Sequence, residues 1–175
     1  MNDYTERYIQ MRLYHRYFNS MKFILPNYTP YKWWECDMFG LTKAGYMREW
    51  EIKRTRADFV NDKNKKHRWF DWKKKEFCSE KKYQLLANGS EYAPRQFWYV
   101  VPEGVLEVDD VPEFAGFMIV KEYSMIEIRK APFLHKHKAH ERTVLNSQSV
   151  LYHRYWNEKI KFQKMEEDIK YMELG

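Results

Sequence analysis

Apolar side chains recur at three- and four-residue steps at the start of the chain. Tyr4, Tyr8, Met11, Tyr14, Tyr17 and Phe18 alternate with Glu6, Arg7, Arg12 and Arg16. Residues three and four apart share one helix face, so the spacing predicts a helix over 3–20. After the turn-like Asn27-Tyr28-Thr29-Pro30, two runs read as strands, 31–39 and 46–54, joined by Gly40–Gly45 as a hairpin. The basic stretch 57–75 reads as helical at least in part. A short helix follows, with Ser79 as N-cap, Tyr83, Leu85 and Leu86 on its apolar face and Gly89 as its stop. Three strands are predicted at 97–101, 116–121 and 125–130, with Pro102 and Gly104 closing the first and Pro112 preceding the second. Residues 139–173 read as helix, with Val150, Leu151, Tyr155, Ile160 and Met165 as core contacts. The order predicts an α/β (α+β) protein with one central sheet, a single domain over 1–175 and no internal repeat.

Composition narrows this little. The 175 residues are 18% aromatic with six glycines and six prolines, which supports a real core and excludes a linker or a disordered chain. A net charge of +6 leans towards a polyanionic partner, although an ordinary basic surface would carry it equally well. Cys36 and Cys78 make neither a disulfide framework nor a CxxC zinc knuckle, and read as buried or half-buried thiols in a reducing compartment. The polar N-terminus lacks a signal peptide's apolar segment, and no apolar run approaches the roughly 20 residues needed to cross a membrane. The expectation is a cytoplasmic protein without a membrane partner.

The second strand of the hairpin carries the chemistry. Side chains alternate across a strand, so Glu49, Glu51 and Lys53 share one face and Trp50 and Ile52 the other. On the preceding run, Glu35 and Asp37 also share a face. Pairing the two runs brings several carboxylates and one ammonium together. Such stacking is costly unless a cation sits among the carboxylates. A hard divalent ion, Mg²⁺ or Mn²⁺, suits one or two carboxylates plus water and phosphate oxygens, with Lys53 beside the attacking water. Glu-x-Lys alone says little in so charged a chain, and Glu80-Lys81-Lys82 repeats it. The upstream Asp37, one turn away, gives the triplet its weight.

Asp37, a short hairpin and Glu51-Ile52-Lys53 resemble the core of the PD-(D/E)XK nuclease superfamily. EIKRTRADFVNDK (51–63), FWYVVPEGVLEVDDVPEFAGFMIV (97–120) and RKAPFLHK (129–136) are similar to segments of MmcB-related DNA-repair proteins and their phage relatives. The resemblance covers roughly residues 35–138. It implies a restriction-endonuclease-like core, a central mixed sheet flanked by helices, and Mg²⁺- or Mn²⁺-dependent hydrolysis of DNA. It assigns Asp37 and Glu51 as metal ligands, Lys53 as the catalytic lysine and the Ile52 carbonyl as a further ligand. Glu6, on the first helix, is a further candidate carboxylate, and the choice between Glu35 and Asp37 stays open. Thr55 stands where the family has serine, and Asp58 is expected to cap a helix beginning at Phe59. The implied partners are single-stranded, nicked or branched DNA. A homodimer is a further expectation, as is a bacterial cytoplasm, or a host's if the chain is phage-encoded.

Downstream of the catalytic run, Arg54, Arg56, Lys63, Lys65, Lys66, Arg68 and Lys73 form a basic flank suited to phosphates. Trp69, Phe70 and Trp72 among them are expected mainly in the core, though flat rings also stack on unpaired bases. His135, in the shared segment, is a candidate phosphate contact. His135, His137 and His140 together lack the carboxylate or cysteine of a zinc site and read as polar surface. The alternative to a nuclease is a non-catalytic nucleic-acid-binding or protein-interaction module that keeps the fold.

Overall fold

The computed structural model of the chain describes residues 4–71 and 74–173, with side chains as far as Lys170. It is α+β, built on a six-stranded mixed sheet. Helix α1 (Glu6–Tyr17) starts where Thr5 Oγ1 accepts the Tyr8 N–H at 3.2 Å, leaving Glu6 in the electropositive first turn. It buries Ile9, Gln10 and Leu13, whereas Tyr8, Met11, Tyr14 and Phe18 of the expected apolar stripe are exposed. Tyr4 and Tyr17 of that stripe pack, half-buried, against the core, and the exposed rings stack on neighbours, Tyr8 on Tyr4 and Phe18 on Tyr14.

Strand β1 (Met21–Tyr28) lies ahead of both predicted strands and is a correction to that reading. It contains Pro26 and sits at a sheet edge, the place where a strand tolerates a residue without an N–H. Residues 31–35 form a turn, so the run expected at 31–39 contributes β2 only as Cys36–Thr42. Strand β3 (Met47–Ile52) pairs antiparallel with β2, from Leu41 opposite Met47 to Met38 opposite Trp50. Gly40 lies inside β2, and the turn is the shorter stretch after Thr42, with Gly45 at φ +86°. Strands β6 (Gln96–Pro102) and β7 (Gly116–Val120) run parallel to β3, and β8 (Met125–Arg129) closes the sheet antiparallel. The strand order is β1-β2-β3-β6-β7-β8.

The basic stretch is helical in part, as expected, and turns to strand beyond its first segment. Helix α2 (Arg56–Asp62) is followed by a separate hairpin of β4 (Lys66–Asp71) and β5 (Glu76–Lys81). In β4 Lys66 is exposed, His67 buried and Arg68 exposed, a period-two pattern that the density of charge hides in the sequence. Helix α3 is Lys82–Ala87, its N-cap position taken by Lys81 and not Ser79. The α2 N-cap is Thr55, whose hydroxyl accepts the Asp58 N–H at 3.1 Å, so Asp58 lies in the first turn instead of capping it.

Two apolar layers hold the sheet. One face packs Trp50, Ile52, Trp98, Val100 and Met118 against Ile9 and Leu13 of α1. The other packs Phe97, Tyr99, Val101 and Phe117 against Phe59 of α2 and Leu86 of α3. The chain forms two compact units, one ending at Ala139 and one beginning at His140. The second contains the 33-residue helix α4 (Glu141–Glu173). There Tyr155, Ile160 and Met165, expected in a core, are exposed, and Val150 and Leu151 are half-buried.

Candidate active site

Pairing between β2 and β3 ends at Met38 opposite Trp50. Beyond that point Asp37 holds the two strands together with its side chain: its Oδ2 accepts the Ile52 N–H at 2.7 Å. The next amide, Lys53 N–H, donates to the Val100 carbonyl of β6 at 3.0 Å. Strand alternation therefore sends Trp50 and Ile52 into the α1 layer and aims Glu49, Glu51 and Lys53 at the α2–α3 side, as the period-two reading expects.

All three of those side chains are buried, together with Asp62 of α2 and Lys82 of α3. Glu51 Oε1 lies 2.6 Å from Lys53 Nζ and 3.0 Å from Lys65 Nζ, and its Oε2 lies 2.8 Å from Lys82 Nζ. Lys82 Nζ also meets Glu49 Oε1 at 2.9 Å, and the Trp34 indole N–H donates to the same carboxylate at 2.8 Å. Asp62 Oδ1 lies 3.1 Å from Lys53 and 3.0 Å from Lys65, while Tyr99 O–H donates to its Oδ2 at 2.7 Å. The cations that relieve the stacked carboxylates here are lysine ammoniums.

The charges sort accordingly. Burial alone would raise the Glu51 carboxyl, but Lys82, Lys53 and Lys65 overcome it and hold the group well below the usual carboxylate range. Glu49, ion-paired with Lys82, is pushed up to about 8 by burial, with the Glu51 charge adding to the effect. Burial, followed by the charge of Glu51, raises Asp37 to about 7. Lys82 is driven well above its ordinary value: burial opposes this, and the charges of Glu49 and Glu51 prevail.

The structure brings together Asp37, Glu51, Ile52 and Lys53 of the predicted residues. Glu6 lies one link away: Gln10 Nε2 contacts Glu6 Oε1 at 3.0 Å and the Asp37 carbonyl at 2.9 Å. Glu35 is exposed and lines a cleft of about 260 Å³ beside the cluster, with Trp34, Lys65, Lys66, His67 and Lys82. Of the basic flank, Lys65 is in the charge cluster itself, and Arg54, Lys63, Lys66 and Arg68 are exposed. Arg56 is exposed and ion-paired with Asp110. Trp72 and Lys73 lie outside the described residues. His135 is not at the surface as a phosphate contact would be. It is buried, its Nε2–H donating to the Ala93 carbonyl at 2.9 Å and its Nδ1 accepting the His137 N–H at 3.1 Å.

Sequence reasoning missed Asp62 and Lys82. Both carried a signal: Lys82 shares a helix face with Leu85 and Leu86, and Asp62 with Phe59, so each follows an apolar stripe into the interior. Lys82 belongs to the Glu80-Lys81-Lys82 copy that looked like background.

The donor set is all oxygen, the chemistry that hard divalent cations prefer. Among the described residues, no group of three or more His, Cys, Asp or Glu side chains is gathered as a metal cage. Mg²⁺ needs fewer, since it commonly takes one or two carboxylates and keeps its waters. Asp37 and Glu51, with the Ile52 carbonyl, fit that smaller set. The raised Asp37 carboxyl is a group that a bound cation would hold ionised.

These features define an α+β protein with a buried cluster of carboxylates and lysines where two strands part. No family model matches the chain, and no curated protein matches it. Among solved structures, the chain is similar to SPO1766, a protein of unknown function from Silicibacter pomeroyi. The TM-score is 0.51 at 19% identity, over 77% of this chain and 75% of that one. At that identity the likeness is one of fold.

Proposed function

We propose that the chain is a metal-dependent phosphodiesterase acting on DNA, of the PD-(D/E)XK type. The observation that carries this reading is the convergence of Asp37, Glu51 and Lys53 at the point where β2 and β3 part. Asp37 and Glu51, with the Ile52 carbonyl, would hold the cation. When bound, Mg²⁺ or Mn²⁺ supplies Lewis acidity towards a phosphate oxygen and towards water. Lys53, fixed by Glu51 and Asp62, holds an ammonium ready to stabilise charge developing on phosphorus-bound oxygens. Lys65 and Lys66 line the neighbouring cleft and favour entry of a polyanion.

The test incubates purified protein with single-stranded, nicked and branched DNA in Mg²⁺ or Mn²⁺. Cleavage by wild type that Lys53→Ala loses supports the assignment. Wild type and variant equally active, or equally silent, across that panel overturns it.

A second reading rests on one observation. Three ammoniums already lie within 3.0 Å of Glu51, so its carboxylate is balanced without a divalent ion. That suits a non-catalytic nucleic-acid-binding module. Calorimetry with Mn²⁺ separates the two: a site that Asp37→Ala abolishes favours the enzyme.

A further inference from the structure

Helix α4 repeats every seven residues. Gln148, Leu151, Tyr155, Glu158, Phe162, Met165 and Ile169 follow one another at alternating steps of three and four, the a and d positions of a heptad. Most of this seam is apolar, yet Phe162 and Met165 are each 59% exposed and Ile169 is 52% exposed. A lone helix is marginal in water, and a helix with a bare apolar seam gains its stability from a partner that covers the seam.

The flanking charges say which partner. The e positions are Tyr152, Lys159 and Glu166, and the g positions are Arg154, Lys161 and Asp168. In a parallel pair of identical helices, Lys161 would face Glu166 of the other copy, but Arg154 would face Lys159, and Glu158 would lie level with its own twin in the seam. In an antiparallel pair, e faces e and g faces g. Centring that pair between Phe162 and Met165 sets Lys159 against Glu166 and Lys161 against Asp168, each contact occurring twice by symmetry. It also sets Phe162 across from Met165, and Glu158 across from Ile169 instead of another carboxylate. Sliding one helix by a heptad brings Lys159 onto Lys159 and Lys161 onto Lys161. The register centred between Phe162 and Met165 gives Lys159, Lys161, Glu166 and Asp168 each an oppositely charged partner.

We infer that α4 is a self-association helix, and that a second copy of this chain pairs with it antiparallel about the Phe162–Met165 step. The inference is independent of the proposed catalysis, since no residue of the buried cluster takes part.

The test measures the mass of the full chain by sedimentation across a micromolar concentration series. Wild type is expected at twice the chain mass. Phe162→Asp is expected at one chain mass. So is the double variant Lys159→Glu/Lys161→Glu, which keeps good helix formers, and so is Glu166→Lys/Asp168→Lys. An equimolar mixture of the two charge variants is expected to return to twice the chain mass. Circular dichroism confirms that each variant stays folded. A monomeric wild type, or variants that still pair with themselves, overturns the inference. Charge variants that fail to pair when mixed overturn it too, and point to a different protein as the occupant of the seam.

Discussion

Lys82 Nζ lies 2.8 Å from Glu51 Oε2 and 2.9 Å from Glu49 Oε1, making one buried ammonium the shared counter-ion of two buried carboxylates on the same strand. Removing it strands Glu49 in the interior and takes one of three ammoniums from Glu51. Lys82→Met is therefore expected to destabilise the fold by about 3–5 kcal/mol, the usual cost of breaking a buried ion pair from one side. Adding Glu49→Gln should recover part of that loss, because the stranded carboxylate is then gone. Urea unfolding of the two variants checks the prediction. A double variant no more stable than Lys82→Met would show that Glu49 does not rely on Lys82.

Gly40 is the second point of vulnerability. A Cβ there would lie 2.7 Å from Trp50 Cζ3, and that ring has little room to yield, being stacked on Trp98 at 5.4 Å and tilted against Tyr17 at 4.8 Å. Gly40→Ala is expected to cost about 1–3 kcal/mol, as overpacking of a filled core does. Trp50 stands between Glu49 and Glu51, so the same change should also loosen the buried cluster. Loss of near-ultraviolet dichroism from the tryptophan pair, with lower urea resistance, is the expected signature.

His135 supplies a pH dependence. Burial pushes its pKa below the ordinary 6.5, and it is neutral with its proton on Nε2. An unfolded chain binds that proton more readily than the folded one. Stability from this group is thus intact above about pH 6.5 and lost as the pH falls through 6.5 towards the lower folded value. His67, lowered by burial in the same direction, adds to the slope. His135→Gln should flatten the fall in melting temperature between pH 6.5 and 5, while nitrogen NMR of wild type should show the Nε2–H tautomer at pH 6.5.

How much of this was legible in the sequence depends on how far each residue acts through its neighbours in the chain. Alternation along β3 was enough to put Glu49, Glu51 and Lys53 on one face, and Gly45 was enough to mark the hairpin turn, although Gly40, expected with it, lies inside β2. The strand break at Asp37 was not readable, because it depends on a side chain taking over a backbone partner, Ile52 N–H. Lys65, expected on a nucleic-acid surface, is half exposed and also reaches Glu51 and Asp62. A long flexible side chain next to a turn can take either course, and only the tertiary structure decides. The β4–β5 hairpin was obscured by its own charge. Lysine and arginine at exposed positions swamp the weak alternation set by His67 and Trp69, which stack on each other at 5.5 Å.

Divalent cation should change stability only if the assigned ligands hold it. Without the cation, the Asp37 carboxyl, raised from 3.8 to about 7, penalises the folded state. Its stabilising contribution is present below the unfolded value and is lost as the pH rises through about 7. A cation at Asp37 and Glu51 reverses this, because it binds the ionised form. Mn²⁺ at a hundredfold excess over its dissociation constant should stabilise the protein by about 2.7 kcal/mol. That gain should be larger at pH 8 than at pH 6, where a proton competes for Asp37. Asp37→Asn should abolish it. Glu35→Gln should leave it unchanged, since Glu35 faces the cleft and not the strand break. Thermal melts of the three proteins with Mn²⁺ and with chelator decide the matter. If chelator leaves wild type as stable as Mn²⁺ does at both pH values, the cluster is held by its lysines alone and the nuclease reading loses its metal.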